Sequence, residues 1–273
     1  MNYRERNNIN ERNTFPHFMY LDTCIFGILL DNPKKQEKLL AFLFDNNLCI
    51  AISEAQVVEL CAATRKRQAF STLISEFPSM LIKTGFTIIE EEVLSYPQPR
   101  DKRFVLQQLE TFIDKEFIEN LLSLPELSSA RRFQQTDALQ MESYLQKFKL
   151  NYPPLDSGDY DQEQAEDFTW KITCQWLAST HSNFLKSLTE RNQILDSTLF
   201  NSIQLFGYVI FYKYYIQGRE SERTDFGDLF HLFSIPYCRW AILERDMCNI
   251  LNQIKDKHNI LKETEIRNPD FFK

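Results

Sequence analysis

Five acids and one histidine stand where this chain could do chemistry. Asp22 closes the apolar run FMYLD (18–22). That run reads as a buried strand, and open α/β sheets bind ligands just outside the carboxyl ends of their strands. The same side chain could equally cap the helix of TCIFGILL. Glu59 lies amid Val57, Val58 and Leu60 on a helix that follows the run LCIAIS (48–53). A carboxylate on an apolar face needs a partner, either a metal ion or an arginine. Asp225, Asp228 and His231 are spaced by three, so one helix face could carry them. There Asp225 reads as a cap, Asp228 as an acid inside the helix, and His231 as a hydrogen-bonding or packing residue before it reads as a ligand. Asp246 follows the apolar segment WAIL (240–243), again at a carboxyl edge, with the N-cap of the last helix as its plainer role. Acids at strand ends, without any cysteine or histidine cluster, favour a hard oxygen-seeking ion such as Mg²⁺ or Mn²⁺.

The elements that must position these acids follow from periodicity. Strand candidates at 18–22, 48–53 and GFTIIE (85–90) alternate with helical spacing in KQEKLLAFLFDNN and EAQVVELCAATRKRQAF. Strand, helix, strand, helix is the mark of an α/β fold with a parallel sheet. From 97 to 217 the pattern is helical alone. Val105, Leu106, Leu109, Phe112, Ile113, Phe117 and Ile118 predict one amphipathic helix, with others near 137–149, 168–188 and 192–217. PLDSGDYDQEQAED (154–167) carries six acids and no base and reads as an exposed linker. After Gly218 the α/β character returns, with a short helix in FGDLFHLFSI, a strand at WAIL and a helix from ERDM onward. The chain therefore divides into 1–96, a helical insertion at 97–217, and 218–273, with a polar lead-in to about 13.

Composition narrows the classes. With 273 residues, 43% of them hydrophobic, the chain can bury a large core. Six scattered cysteines suggest reduced thiols, and neither a secretory leader nor a membrane span is read, which points to the cytoplasm. A net charge of −7 disfavours a bulk nucleic-acid binder but leaves room for an enzyme that grips a short segment through metal ions. TRKRQ (64–68), Arg131 and Arg132 are the candidate phosphate contacts, and a solvated helix face is their plainer reading.

The residues resemble the PIN-like nuclease superfamily. YLDTCIF (20–26) resembles its opening motif at Asp22, and ISEAQVVEL (52–60) its Ser-to-Glu stretch at Glu59. GDLFHLFSIPYC (227–238) resembles its late Asp-x-x-His helix at Asp228, and ERDM (244–247) its closing motif at Asp246. The resemblance implies a three-layer α/β fold with a central parallel sheet and a large helical insertion. It implies a metal-dependent nuclease, most simply an endoribonuclease with a toxin or phage-defence role. Asp22, Glu59, Asp228 and Asp246 would be the catalytic metal ligands for Mg²⁺ or Mn²⁺, Asp225 an optional fifth, and RNA the partner. The competing reading is a PIN-like scaffold without catalysis that serves as a binding or regulatory subunit, with the helical middle as an interface to a second copy or a protein partner. A phosphatase using Asp22 as nucleophile is a third reading, weakened because Cys24 stands where its second acid belongs.

Overall fold

Strands β1 (His17–Leu21) and β2 (Leu48–Ile52) are apolar at nearly every position, and such runs are stable as strands covered on both faces. The computed structural model describes residues 16–272 except 64, 100, 110, 128–138, 140–142, 144, 145, 147, 148, 151, 155–159 and 221–228. It joins β1 and β2 with β3 (Ser79–Leu81), β4 (Trp240–Ile242) and β5 (Glu265–Arg267) in a parallel five-stranded sheet of order β3-β2-β1-β4-β5. Successive side chains point to opposite faces. Phe18 and Tyr20 therefore join one apolar cluster while Met19 and Leu21 join the other.

Each face carries a layer of helices, so the architecture is three-layered α/β. Against Met19 and Leu21 pack α1 (Thr23–Leu30), α2 (Pro33–Asp45), α3 (Glu54–Ala62), α4 (Arg67–Glu76) and α7 (Lys115–Leu122). Against Phe18 and Tyr20 pack α5 (Gly85–Ser95), α6 (Lys102–Leu106), α8 (Gln162–Thr180), α10 (Asn201–Phe211) and α11 (Arg245–Lys257). Helix α9 (Ser182–Glu190) follows α8 directly. The α8–α10 pair is unusually close. A Cβ at Gly207 would lie 3.0 Å from Thr169 Cγ2 and 3.3 Å from Thr169 Cα, so any side chain there would have to push Thr169 aside by a few tenths of an ångström. No helix of the described residues is long and apolar enough to cross a membrane.

Several sequence expectations are corrected. GFTIIE is not a strand: Thr84 caps a helix there by accepting from Thr87 N at 3.2 Å, and Ile88 and Ile89 both join the same apolar cluster, as neighbours on a helix can and neighbours on a strand of this sheet cannot. The third strand lies just upstream, at Ser79–Leu81. The single amphipathic helix expected over 105–118 is two short ones, α6 and α7, each started by an aspartate cap, Asp101 and Asp114. These two lie on opposite faces of the sheet, so the helical middle is divided between the layers. The acidic stretch is helical where it is described from Gln162 onward. Its residues 155–159 lie outside the described ones, but Asp161 and Gln164 form a capping box that opens the 19-residue helix α8. The lead-in before 16 and most of the helix expected at 137–149 also lie outside the described residues. The aromatic run 204–216 is core: its residues in α10 and in the π-helical turn Tyr212–Ile216 are buried apart from Ile216.

Candidate active site

Strand order reverses at β1, with β2 on one side and β4 on the other. Connections leaving the carboxyl ends of β1 and β4 diverge toward different layers, and the crevice they open is where sheets of this type bind ligands. Asp22 leaves β1 at this point, and its backbone N–H donates to Ile242 O of β4 at 2.9 Å. Its Oδ1 accepts from Cys24 N at 3.1 Å, so the carboxylate caps α1 and also stands at the crevice. Of the two roles weighed for it, the cap is the one the hydrogen bond shows.

At the end of β4 the sequence supplies two acids. Glu244 occupies the N-cap position of α11, yet its side chain makes no capping hydrogen bond. Burial, then the Asp22 carboxylate, then the Asp246 carboxylate push Glu244 above the ordinary glutamate range, while Lys213 and Arg219 pull it back. Asp246 sits in the first turn of α11, two residues inside the cap position considered for it. Both its oxygens accept from Arg219, Oδ2 from Nη1 at 2.6 Å and Oδ1 from Nη2 at 2.7 Å. Lys213 lies in the π-helical turn after α10, an insertion of a kind often found at functional sites. Glu244 thus feels two acids and two cations beside the reversal point.

Glu59 reaches the same edge from α3. The Gln56 carboxamide accepts from Ser53 N at 2.7 Å and donates to Leu21 O, which ties the start of α3 to the end of β1. Glu59 follows three residues later, on the same side of the helix. Its Oε1 lies 3.1 Å from Nε2 of the buried His231, on the 3₁₀ segment His231–Tyr237. His231 therefore holds the Glu59 carboxylate, in the hydrogen-bonding role that the sequence favoured. Asp225 and Asp228 lie outside the described residues.

The oxygen-only donors and the mutual repulsion of Asp22, Glu244 and Asp246 fit a hard divalent cation in type and charge. They are not drawn around one point: among the described residues no group of three or more His, Cys, Asp or Glu side chains could hold an ion. The basic segment is partly structural. Arg67 donates to Cys61 O at 2.8 Å near the end of α3, while Arg65 and Lys66 are exposed. Thr64, Arg131 and Arg132 lie outside the described residues.

Sequence reasoning missed Glu244, Arg219, Lys213 and Gln56. Glu244 could have been found, because it follows the buried Leu243 and stands two residues before Asp246. Arg219 could not, because nothing in the polar loop GRESERTD shows which acid it meets. Compared with family models, characterised proteins and solved structures, the chain matches none.

Proposed function

We propose that this chain is a metal-dependent nuclease of the PIN-like kind, in the first instance an endoribonuclease, working in the crevice between β1 and β4. One observation carries the reading: Asp22, Glu244 and Asp246 interact electrostatically outside the carboxyl ends of adjoining strands where strand order reverses. Asp22, Glu244 and Asp246 would hold Mg²⁺ or Mn²⁺, with Glu59, Asp228 and Asp225 as the further acids that the PIN-like resemblance supplies. A divalent ion bound there activates water and offsets charge on the phosphodiester under attack. His231 fixes the direction of the Glu59 carboxylate. Lys213 and Arg219 bring positive charge to a crevice whose acids would otherwise repel a polyanion. In a chain of net charge −7, such local cations are what could draw a phosphate backbone in. A toxin or phage-defence role follows as a proposal from the same resemblance.

The test is direct. Purified protein is offered single-stranded and hairpin RNA, and DNA, with Mn²⁺, with Mg²⁺ and with EDTA, beside Asp22→Asn. Asparagine caps a helix as well as aspartate, so this variant removes charge and keeps the start of α1. Metal-dependent cleavage that Asp22→Asn loses supports the reading; equal cleavage by the variant overturns it. The second reading, a scaffold that binds without cutting, has its own observation: Arg219 already neutralises Asp246 with two hydrogen bonds. Binding of RNA without cleavage under any of these metals would select it.

A further inference from the structure

The close approach of α8 and α10 leaves a cavity of about 420 Å³ beside them, away from the residues of the candidate active site. Helix α8 contributes Glu163, Glu166, Asp167 and Trp170, and α10 contributes Gln204 and Tyr208. The three acids are spaced by three and four, so they share one helix face, and no Lys or Arg is among the lining residues. Acids alone would be an ordinary solvated face. Two buried neutral groups make this one different. Gln204 is 7% exposed and Ser197 8%, both line the cavity, and neither side chain has a hydrogen-bond partner among the described residues. Their polar atoms are open to the cavity rather than sealed in protein, so an unpaired carboxamide and hydroxyl there can meet a ligand or its water.

We propose that this cavity binds a small organic polycation, a free aliphatic polyamine or an amine–guanidine compound. The volume falls in the range of small-molecule sites. Phosphate-bearing ligands are disfavoured by three carboxylates with no lining cation. A hydrated metal ion would gain nothing from an indole, whereas an alkylammonium or guanidinium group gains from the exposed Trp170 ring. Trp170 is 47% exposed and stands at the rim, while Tyr208 lies deeper at 6%. The acids differ in availability. Asp167 is paired with Lys171, and Glu166 accepts from Gln162 Nε2 at 2.6 Å with His258 Nδ1 3.6 Å away. Glu163 has no ion-pair or hydrogen-bond partner among the described residues and is the first contact for an incoming charge. Gln204 and Ser197 would receive the donor groups of the ligand through their oxygens.

Calorimetric titration of the full chain with spermidine, agmatine, adenosine, MgCl₂ and a tri-arginine peptide tests this without reference to any cleavage activity. The expected result is saturable binding of spermidine or agmatine. Trp170→Ala should weaken it by about threefold to thirtyfold and Glu163→Gln by about fivefold. Glu163 is solvent-exposed, so its variant should keep the parent melting temperature and leaves the comparison interpretable if Trp170→Ala fails to fold. Binding of adenosine alone, equal competition by MgCl₂, binding of the peptide without the free amines, or amine binding indifferent to both variants would each overturn the proposal.

Discussion

The chain gathers acids in two places, and the two groups are built differently. Asp22, Glu244 and Asp246 come from sequence segments more than 200 residues apart and meet only because β1 and β4 are neighbours in the sheet. Glu163, Glu166 and Asp167 come from a single helical turn and a half and would be neighbours in any fold that kept the helix. The first group stands beside Lys213 and Arg219, the second beside Trp170 and Tyr208. Acid clusters thus differ by what surrounds them: cations beside carboxylates suit a phosphodiester and its metal, rings beside carboxylates suit an organic cation.

The sharpest way to break this contrast is at Asp22. Asp22→Asn should reduce cleavage by more than the roughly 10–100-fold that losing a positioning partner costs, with the melting temperature near that of the parent. RNA cleavage assays with matched unfolding curves read both quantities. Cleavage at the parent rate would leave the crevice acids no more functional than those of α8.

A carboxyl with no charged neighbour gives the limiting case. Glu92 on α5 is buried and accepts from Ser202 N at 2.8 Å and from the Tyr237 hydroxyl, while its Oε2 has no partner among the described residues. Burial pushes it up to about 7, against the pull of those hydrogen bonds. A carboxyl raised in the folded state favours the protonated form, so its stabilising contribution is complete below the unfolded value of 4.5 and is lost as pH rises to about 7. Folding stability should fall by on the order of 3 kcal/mol across that window from this group. Glu92→Gln should flatten the profile in chemical denaturation at pH 5, 6, 7 and 8. A parent profile already flat over this window would contradict the burial argument.

Smaller effects separate positioning from charge. His231→Gln keeps a donor toward Glu59 but alters its reach, and should lower cleavage by about tenfold while the pH dependence of folding from Glu92 is unchanged. Arg219→Ala should shift stability by less than about 1 kcal/mol, because the pair it forms with Asp246 is partly solvated. The same variant should lower the Mn²⁺ concentration needed for half-maximal cleavage, since Asp246 is then released for the ion. A higher requirement would mean that Arg219 orients Asp246 rather than competing for it.

The sequence by itself determined the α/β class, the strands read at 18–22, 48–53 and 240–243, and the places of Asp22, Glu59 and Asp246 near strand ends. Those features are local: fully apolar runs, helical spacing and the residue that follows them are written in consecutive positions. It also marked His231 as a hydrogen-bonding residue before a ligand. Other features were decided by tertiary structure. Ile88 and Ile89 became a helix because Thr84 caps it and both side chains find the same core, a choice that an apolar hexapeptide cannot express. Asp161 and Gln164 opened a long helix in a stretch whose charge suggested a linker, because the capping box acts through backbone groups that composition does not register. The division of the helical middle between two faces, the pairing of Arg219 with Asp246 and the loading of Glu244 by two other acids all depend on strand order. Strand order is set by which surfaces bury each other across hundreds of residues, and no window of sequence contains that information.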